Sequence, residues 1–165
     1  MAVTADLANA AVALAMIASA DLATLLALTT FVSFQSRGLP MDVRIDGPVA
    51  PFFEAGKMFF QRRRGQLDLA CAHCHDQQAG QRLRGEVISQ GQINGFPVYR
   101  HTWQTLGSTH RLFAWCNTAV RAEPYPYGAD EYVNLELFMA WRGRGLSWQL
   151  QRSHCRGCCL KLSPD

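Results

Sequence analysis

A chain of 165 residues with 48% apolar and 18% charged side chains carries enough apolar surface for a folded domain, which excludes a disordered protein. Its net charge of +3 excludes the dense basic stripe of a nucleic-acid binder. Among the sixteen basic residues only Lys57 and Lys161 are lysine, so the positive charge resides in guanidinium groups, whose forked donors suit oxyanions and carboxylates.

The first 26 residues are rich in Ala and Leu but fail as a targeting segment. Asp6 stands where a signal peptide needs positive charge, Asp21 interrupts the apolar run, and no Lys or Arg precedes Arg37. No stretch offers the roughly 18 uninterrupted apolar residues of a membrane span. Residues 22–36 repeat apolar positions at helical spacing through Leu22, Leu25, Leu26, Phe31 and Val32, with Gly38 and Pro40 as a stop. Residues 44–51, with two prolines and a glycine, read as a linker. Residues 52–65 are again helical in pattern, with Phe52, Phe59 and Phe60 apolar and Arg62 to Arg64 near the C-terminal end, where cations complement the dipole. Residues 76–109, with glycines at 80, 85, 91, 95 and 107, read as mostly loop. A turn-rich "EPYPYG" precedes a last helix that opens on acids, carries Tyr132, Leu135 and Met139 on one stripe, and ends at Arg142, Gly143, Arg144 and Gly145. The expectation is a mostly α fold without internal repeats.

Between the second and third helical patterns stands Cys71-Ala72-His73-Cys74-His75, the c-type haem attachment signature. Two cysteines at this spacing can form thioethers to the two vinyl groups on one porphyrin edge, and the adjacent histidine then reaches the iron. Chance occurrence in such a composition is below about one in a hundred. A zinc knuckle needs a matching second pair, and Cys155 and Cys158 lie some eighty residues away. A redox Cys-x-x-Cys belongs at a strand-to-helix junction, whereas a Phe-rich helix precedes this one. If haem is present, its second axial ligand decides the chemistry. The methionines are at 1, 16, 41, 58 and 139; none falls between His75 and Phe138, and Met139 belongs to the last helix's stripe. That leaves His101, His110 and Cys116, the last in a sequence neighbourhood with Arg111 and Arg121. A thiolate would hold the iron ferric at low potential; bis-histidine ligation remains the alternative, giving a plain electron-transfer cytochrome.

Four stretches extend the pattern: "ALTTFVSFQSRGLP", "FFEAGKMFFQRRRGQLDLACAHCHD", "RLRGEVISQGQINGFPVYRHTWQTLGSTHRLFAWCN" and "VRAEPYPYGADEYVNLELFMAWRGRG". From about Asp21 to Leu146 they resemble SoxA, the cytochrome subunit of SoxAX complexes. The resemblance implies a class I cytochrome c-like haem domain in the periplasm, acting as an L-cysteine S-thiosulfotransferase. One covalent haem c would be attached through Cys71 and Cys74 and ligated by His75 and by Cys116, the catalytic cysteine, able to carry a persulfide. The implied partners are the haem subunit SoxX, the carrier SoxYZ, thiosulfate and a cytochrome c acceptor. Arg142 matches one substrate arginine of the family; where the other would stand, four residues before the cysteine, this chain has Leu112, with Arg111 one place away.

Two departures accompany the resemblance. Family members carry a further cytochrome-like domain at the front, so residues 1–46 are expected to be a helical remnant of that domain, with the haem domain over 47–146. Residues 147–165, with His154, Cys155, Cys158 and Cys159, resemble nothing in the family and are expected to be an atypical, unstructured tail without chemistry.

Overall fold

The computed structural model describes residues 22–83 and 86–149. The expected remnant before Leu22 and the cysteines of the tail lie outside the described residues. The elements are α1 (Leu22–Gln35), a 3-10 turn (Gly47–Val49) running into α2 (Ala50–Gln61), α3 (Cys71–His75), strands β1 (Arg82–Leu83), β2 (Glu86–Val87), β3 (Val98–Arg100) and β4 (Thr105–Gly107), then α4 (Thr109–Ala119) and α5 (Asp130–Arg142).

The core forms where α2 crosses α5. Pro51 in the first turn of α2 costs no hydrogen bond, and the helix buries Phe53, Gly56, Phe59 and Phe60. Phe52, expected inside, is 58% exposed and Phe53 takes the inward place, because the buried face follows Gly56. A Cβ on Gly56 would lie 1.9 Å from the Asn134 carbonyl oxygen, so the two helices meet backbone to backbone. On the other side Tyr132, Leu135, Phe138 and Met139 are buried, which includes the whole stripe expected from the sequence. Phe138 packs between Phe60 and Phe53 at ring separations of 5.1 and 5.6 Å. Asp130 and Glu131 in the first turn of α5 and Arg142 in its last suit the helix dipole.

Residues 76–109 are more ordered than a loop. They hold two antiparallel hairpins, β1 with β2 (Leu83 opposite Glu86) and β3 with β4 (Val98 opposite Gly107, Arg100 opposite Thr105). Gly107 sits against Trp103, where a Cβ would come within 2.1 Å of the indole ring. Helix α4 follows at once, its N-terminus capped by Ser108, whose hydroxyl oxygen accepts from the Arg111 amide at 3.2 Å.

The expected boundaries at 46/47 and 146/147 cut through this unit. Met41 is buried in the core, and residues 38–41 pair with 145–148: the Met41 amide donates to the Leu146 carbonyl at 2.8 Å and the Trp148 amide to the Leu39 carbonyl at 2.9 Å. Trp148 packs against the core cluster. Helix α1 lies outside it. Leu25 and Leu26 are half-buried while Phe31 and Val32, from the same predicted stripe, face outward with Leu28 and Phe34.

Candidate functional site

Helix α3 is a single turn made of the Cys-Ala-His-Cys-His pentad itself. The His73 ring nitrogen Nδ1 accepts from the Ala70 amide at 2.9 Å, tying down the helix start, and Ala72 turns into the core. That leaves Cys71, Cys74 and His75 on the remaining arc. Both cysteines are free thiols and half-buried. Burial pushes the Cys71 thiol up to about 11.

His75 is clamped by residues that periodicity did not single out. Its Nδ1–H donates to the Ser89 carbonyl at 2.8 Å, which fixes the tautomer and leaves the Nε2 lone pair free. Burial holds the imidazole below its ordinary value, the Ser89 carbonyl working against that shift and the Arg142 charge adding to it, so the ring is neutral as a metal ligand must be. Gly91, at φ +80°, lies so close that a Cβ there would stand 2.8 Å from Met139 Cε and 3.4 Å from His75 Cγ. A backed imidazole, two adjacent free thiols and a glycine that keeps the backbone close to the ring fit a covalently attached haem. Among the described residues no group of three or more His, Cys, Asp or Glu is arranged to hold a metal ion by itself; Cys155 and Cys158, which a zinc knuckle would need, lie outside them.

The three candidates for the opposite axial position are placed differently. His110 is wedged between α4 and α5: Nδ1 accepts from the Gly128 amide at 3.1 Å, Nε2 faces Glu136 at 3.1 Å, and the ring stacks on Phe113. Nδ1 is thus engaged by a hydrogen bond, whereas Nε2, although close to Glu136, is buried without one. His101 is exposed in the β3–β4 turn, edge-on to Tyr99. Cys116 sits on α4. Burial pushes its thiol up to about 12; charge on Cys71 and Cys74 adds to this, and the Arg100 guanidinium opposes it. Cys116 therefore lies within electrostatic reach of Cys71 and Cys74, which precede it by 45 and 42 positions in the chain.

The arginines expected to bind substrate separate. Arg142 is held on the His75 side: it pairs with Asp76 Oδ1 at 2.6 Å, donates to the Gln90 carbonyl at 3.0 Å and stacks over Phe60 at 4.7 Å. These contacts, made through Nε and Nη2, brace the 89–91 loop against α3. Arg111 is half-buried, lies 4.6 Å over the Trp103 ring and donates weakly to the Leu106 carbonyl at 3.4 Å. Arg100, which lies in the stretch read as loop and has no motif to mark it, is the cation whose charge reaches Cys116.

No family model matches the chain. It is 44% identical over 120 residues to the L-cysteine S-thiosulfotransferase subunit SoxA of Paracoccus pantotrophus, a stretch that is 73% of this chain and 41% of the relative. The SoxA subunits of Rhodovulum sulfidophilum and Allochromatium vinosum are each 44% identical, over 121 and 124 residues. The chain thus spans about two fifths of the length of the curated relatives it matches. In fold it is similar to a chain in the crystal structure of SoxXA from P. pantotrophus, with a TM-score of 0.68 and 46% identity over 70% of this chain and 44% of that one. The fold is the mostly α, cytochrome c-like one expected from the sequence.

Proposed function

The matched stretch of this chain is homologous to SoxA, and from that premise we propose that it is the haem-bearing, catalytic part of a periplasmic L-cysteine S-thiosulfotransferase. Cys71 and Cys74 would attach one haem c by thioethers, His75 Nε2 would bind the iron on one side and Cys116 Sγ on the other. The haem supplies a centre that accepts and passes on electrons one at a time. The reaction joins a carrier cysteine to thiosulfate, RSH + S2O3(2−) → RS–SSO3(−) + H+ + 2e−: one S–S bond forms, the carrier thiol loses its proton, and the electron pair leaves through SoxX to a cytochrome c acceptor. The carrier is SoxYZ.

What carries this reading is the position of Cys116. It is a half-buried thiol within electrostatic reach of both motif cysteines and of Arg100, while His110 is tied through Nδ1 to the Gly128 amide and packed against Phe113 and Tyr132 and His101 is exposed. Burial strongly opposes a thiolate there, so a neighbouring metal cation is the natural means of ionising it. Its sulfur is then the group that receives sulfane sulfur, with Arg111 drawing in the anion. Arg142 braces Asp76 and the Gln90 carbonyl through Nε and Nη2, and its part in binding the anion would fall to its remaining N–H groups.

Expression with a c-type maturation system tests the proposal. The intact mass should exceed that of the polypeptide by one haem, and the ferric EPR spectrum should be that of an imidazole–thiolate pair. Cys116→Met should keep the haem, raise its reduction potential, since a thioether donates less charge to ferric iron than a thiolate, and abolish conjugation. A variant with unchanged potential and turnover would mean that Cys116 is neither ligand nor catalyst and would favour the bis-histidine, electron-transfer reading.

A further inference from the structure

Two indoles and two guanidiniums form one cluster that reaches the residue before Cys116 in α4. Arg100 Cζ lies 5.2 Å from the Trp103 ring centroid and 6.0 Å from that of Trp115, the residue preceding Cys116 in α4. Arg111 Cζ lies 4.6 Å from the same Trp103 ring. Trp103 is thus shared between two cations. Two guanidiniums that share one ring repel each other, and an anion between or beside them relieves that repulsion.

One anion is present. Glu86, on the two-residue strand β2, pairs with Arg100 Nη2, and the two side chains differ sharply in exposure: 17% for Arg100 and 57% for Glu86. Arg111 has no carboxylate partner among the described residues; its guanidinium donates to the Leu106 carbonyl at 3.4 Å. The cluster therefore holds two fixed positive charges set into the protein and one negative charge on a solvent-exposed side chain. The carboxylate can rotate into water at little desolvation cost, whereas the stacked guanidiniums cannot leave.

We propose that Arg100 and Arg111 form the oxyanion seat at Cys116, and that Glu86 is an internal occupant of that seat which a small sulfur oxyanion displaces. A dianion of the thiosulfate class gains more from two guanidiniums than a single carboxylate does, so displacement favours it over monoanions of similar size. Glu86 keeps the seat neutralised between turnovers and sets a threshold against weaker anions. The inference rests on the reading of Cys116 as the sulfur that meets thiosulfate.

The test uses the haem-loaded full chain and compares alkylation of Cys116, located by peptide mapping, by iodoacetate and by the neutral iodoacetamide. The ratio of the two rates cancels the reactivity of the thiol and reports only the local welcome for negative charge. Glu86→Gln should raise the ratio about threefold to tenfold and Arg100→Gln should lower it by a similar factor, the range for one charge at this separation in a partly solvated site. Arg100→Lys, which keeps the charge, should fall between Arg100→Gln and the parent chain. Should Arg100→Gln fail to fold, the exposed Glu86→Gln carries the test alone. In the assembled complex Glu86→Gln should also lower KM for thiosulfate. A ratio that does not move in Glu86→Gln overturns the seat even if thiosulfate is still conjugated. A shifted ratio in a protein that conjugates nothing leaves the seat standing and removes the thiosulfotransferase reading instead.

Discussion

Asn117, one residue past Cys116, anchors the helix that presents it. The Asn117 amide nitrogen donates to the Phe113 carbonyl at 3.0 Å and to the Tyr132 hydroxyl at 2.8 Å, and its oxygen accepts from Arg64. The same Tyr132 oxygen accepts from the Tyr125 amide at 3.2 Å, and Arg64 stacks 4.5 Å over the Tyr125 ring. Tyr132 is fully buried, so its hydroxyl is the one acceptor that α4, the 125 loop and α5 share. Tyr132→Phe leaves ring packing intact but strips a buried acceptor from two donors. The expected loss is about 1–3 kcal/mol in chemical denaturation, with looser placement of Cys116; unchanged stability would mean that water replaces the hydroxyl. At this scale the sequence was legible where residues are adjacent. The pentad stands out through spacing alone, and Cys116 stood out because so few other donors exist. Ser89, Gly91, Glu86 and Arg100 were not legible, since each reaches the site through a turn or a short strand and no local pattern links it to His75 or Cys116.

Among the elements, α2 and α5 fit the argument from periodicity best, and Gly56 explains how tightly they meet. Alanine at an ordinary helical glycine gains up to about 1 kcal/mol of helix propensity. At position 56 a Cβ would stand 1.9 Å from the Asn134 oxygen and 3.1 Å from Phe138 Cβ, and one of these neighbours is backbone that cannot rotate away. Gly56→Ala must therefore part the helices, opening the Phe53–Phe138–Phe60 packing. The sign reverses: a net loss of about 3 kcal/mol is expected, at the upper end for overpacking. A thermal melt of the variant equal to or above that of the parent would mean that the crossing is looser than the structure has it. Helix α4 escaped the same reading for a physical reason. Its buried residues are Thr109, Phe113 and Asn117, two of them polar, so its inward face is hydrogen-bonded and presents no apolar stripe to recognise. The hairpins escaped because strands of two and three residues are too short to establish an alternation.

For the whole molecule, composition changes marked boundaries near 46 and 146, but the chain closes across both. Residues 38–41 and 145–148 run antiparallel, bringing the segment before α2 and the segment after α5 together over Met41. Removing residues 146–149 would take away the Trp148 carbonyl that accepts from Gly38, the Leu146 carbonyl that accepts from Met41, the Trp148 amide that donates to Leu39, the Gln149 amide that donates to Asn94 and the Ser147 carbonyl that accepts from the Asn94 side chain. It would also uncover Met41, whose sulfur touches the α5 end at Gly143. Net hydrogen-bond contributions of about 0.5–1.5 kcal/mol each with the lost Trp148 packing make a difference of roughly 3 kcal/mol or more a reasonable expectation. Two truncated chains measure it: one ending after Gln149 and one ending after Gly145. The first should retain the closing pair and the second should melt several degrees lower, with Met41 more open to peroxide oxidation. Equal melting of the two would place the edge of the cooperative unit at Gly145, and the pairing of residues 38–41 would then be a surface contact and no part of what holds the haem motif in place.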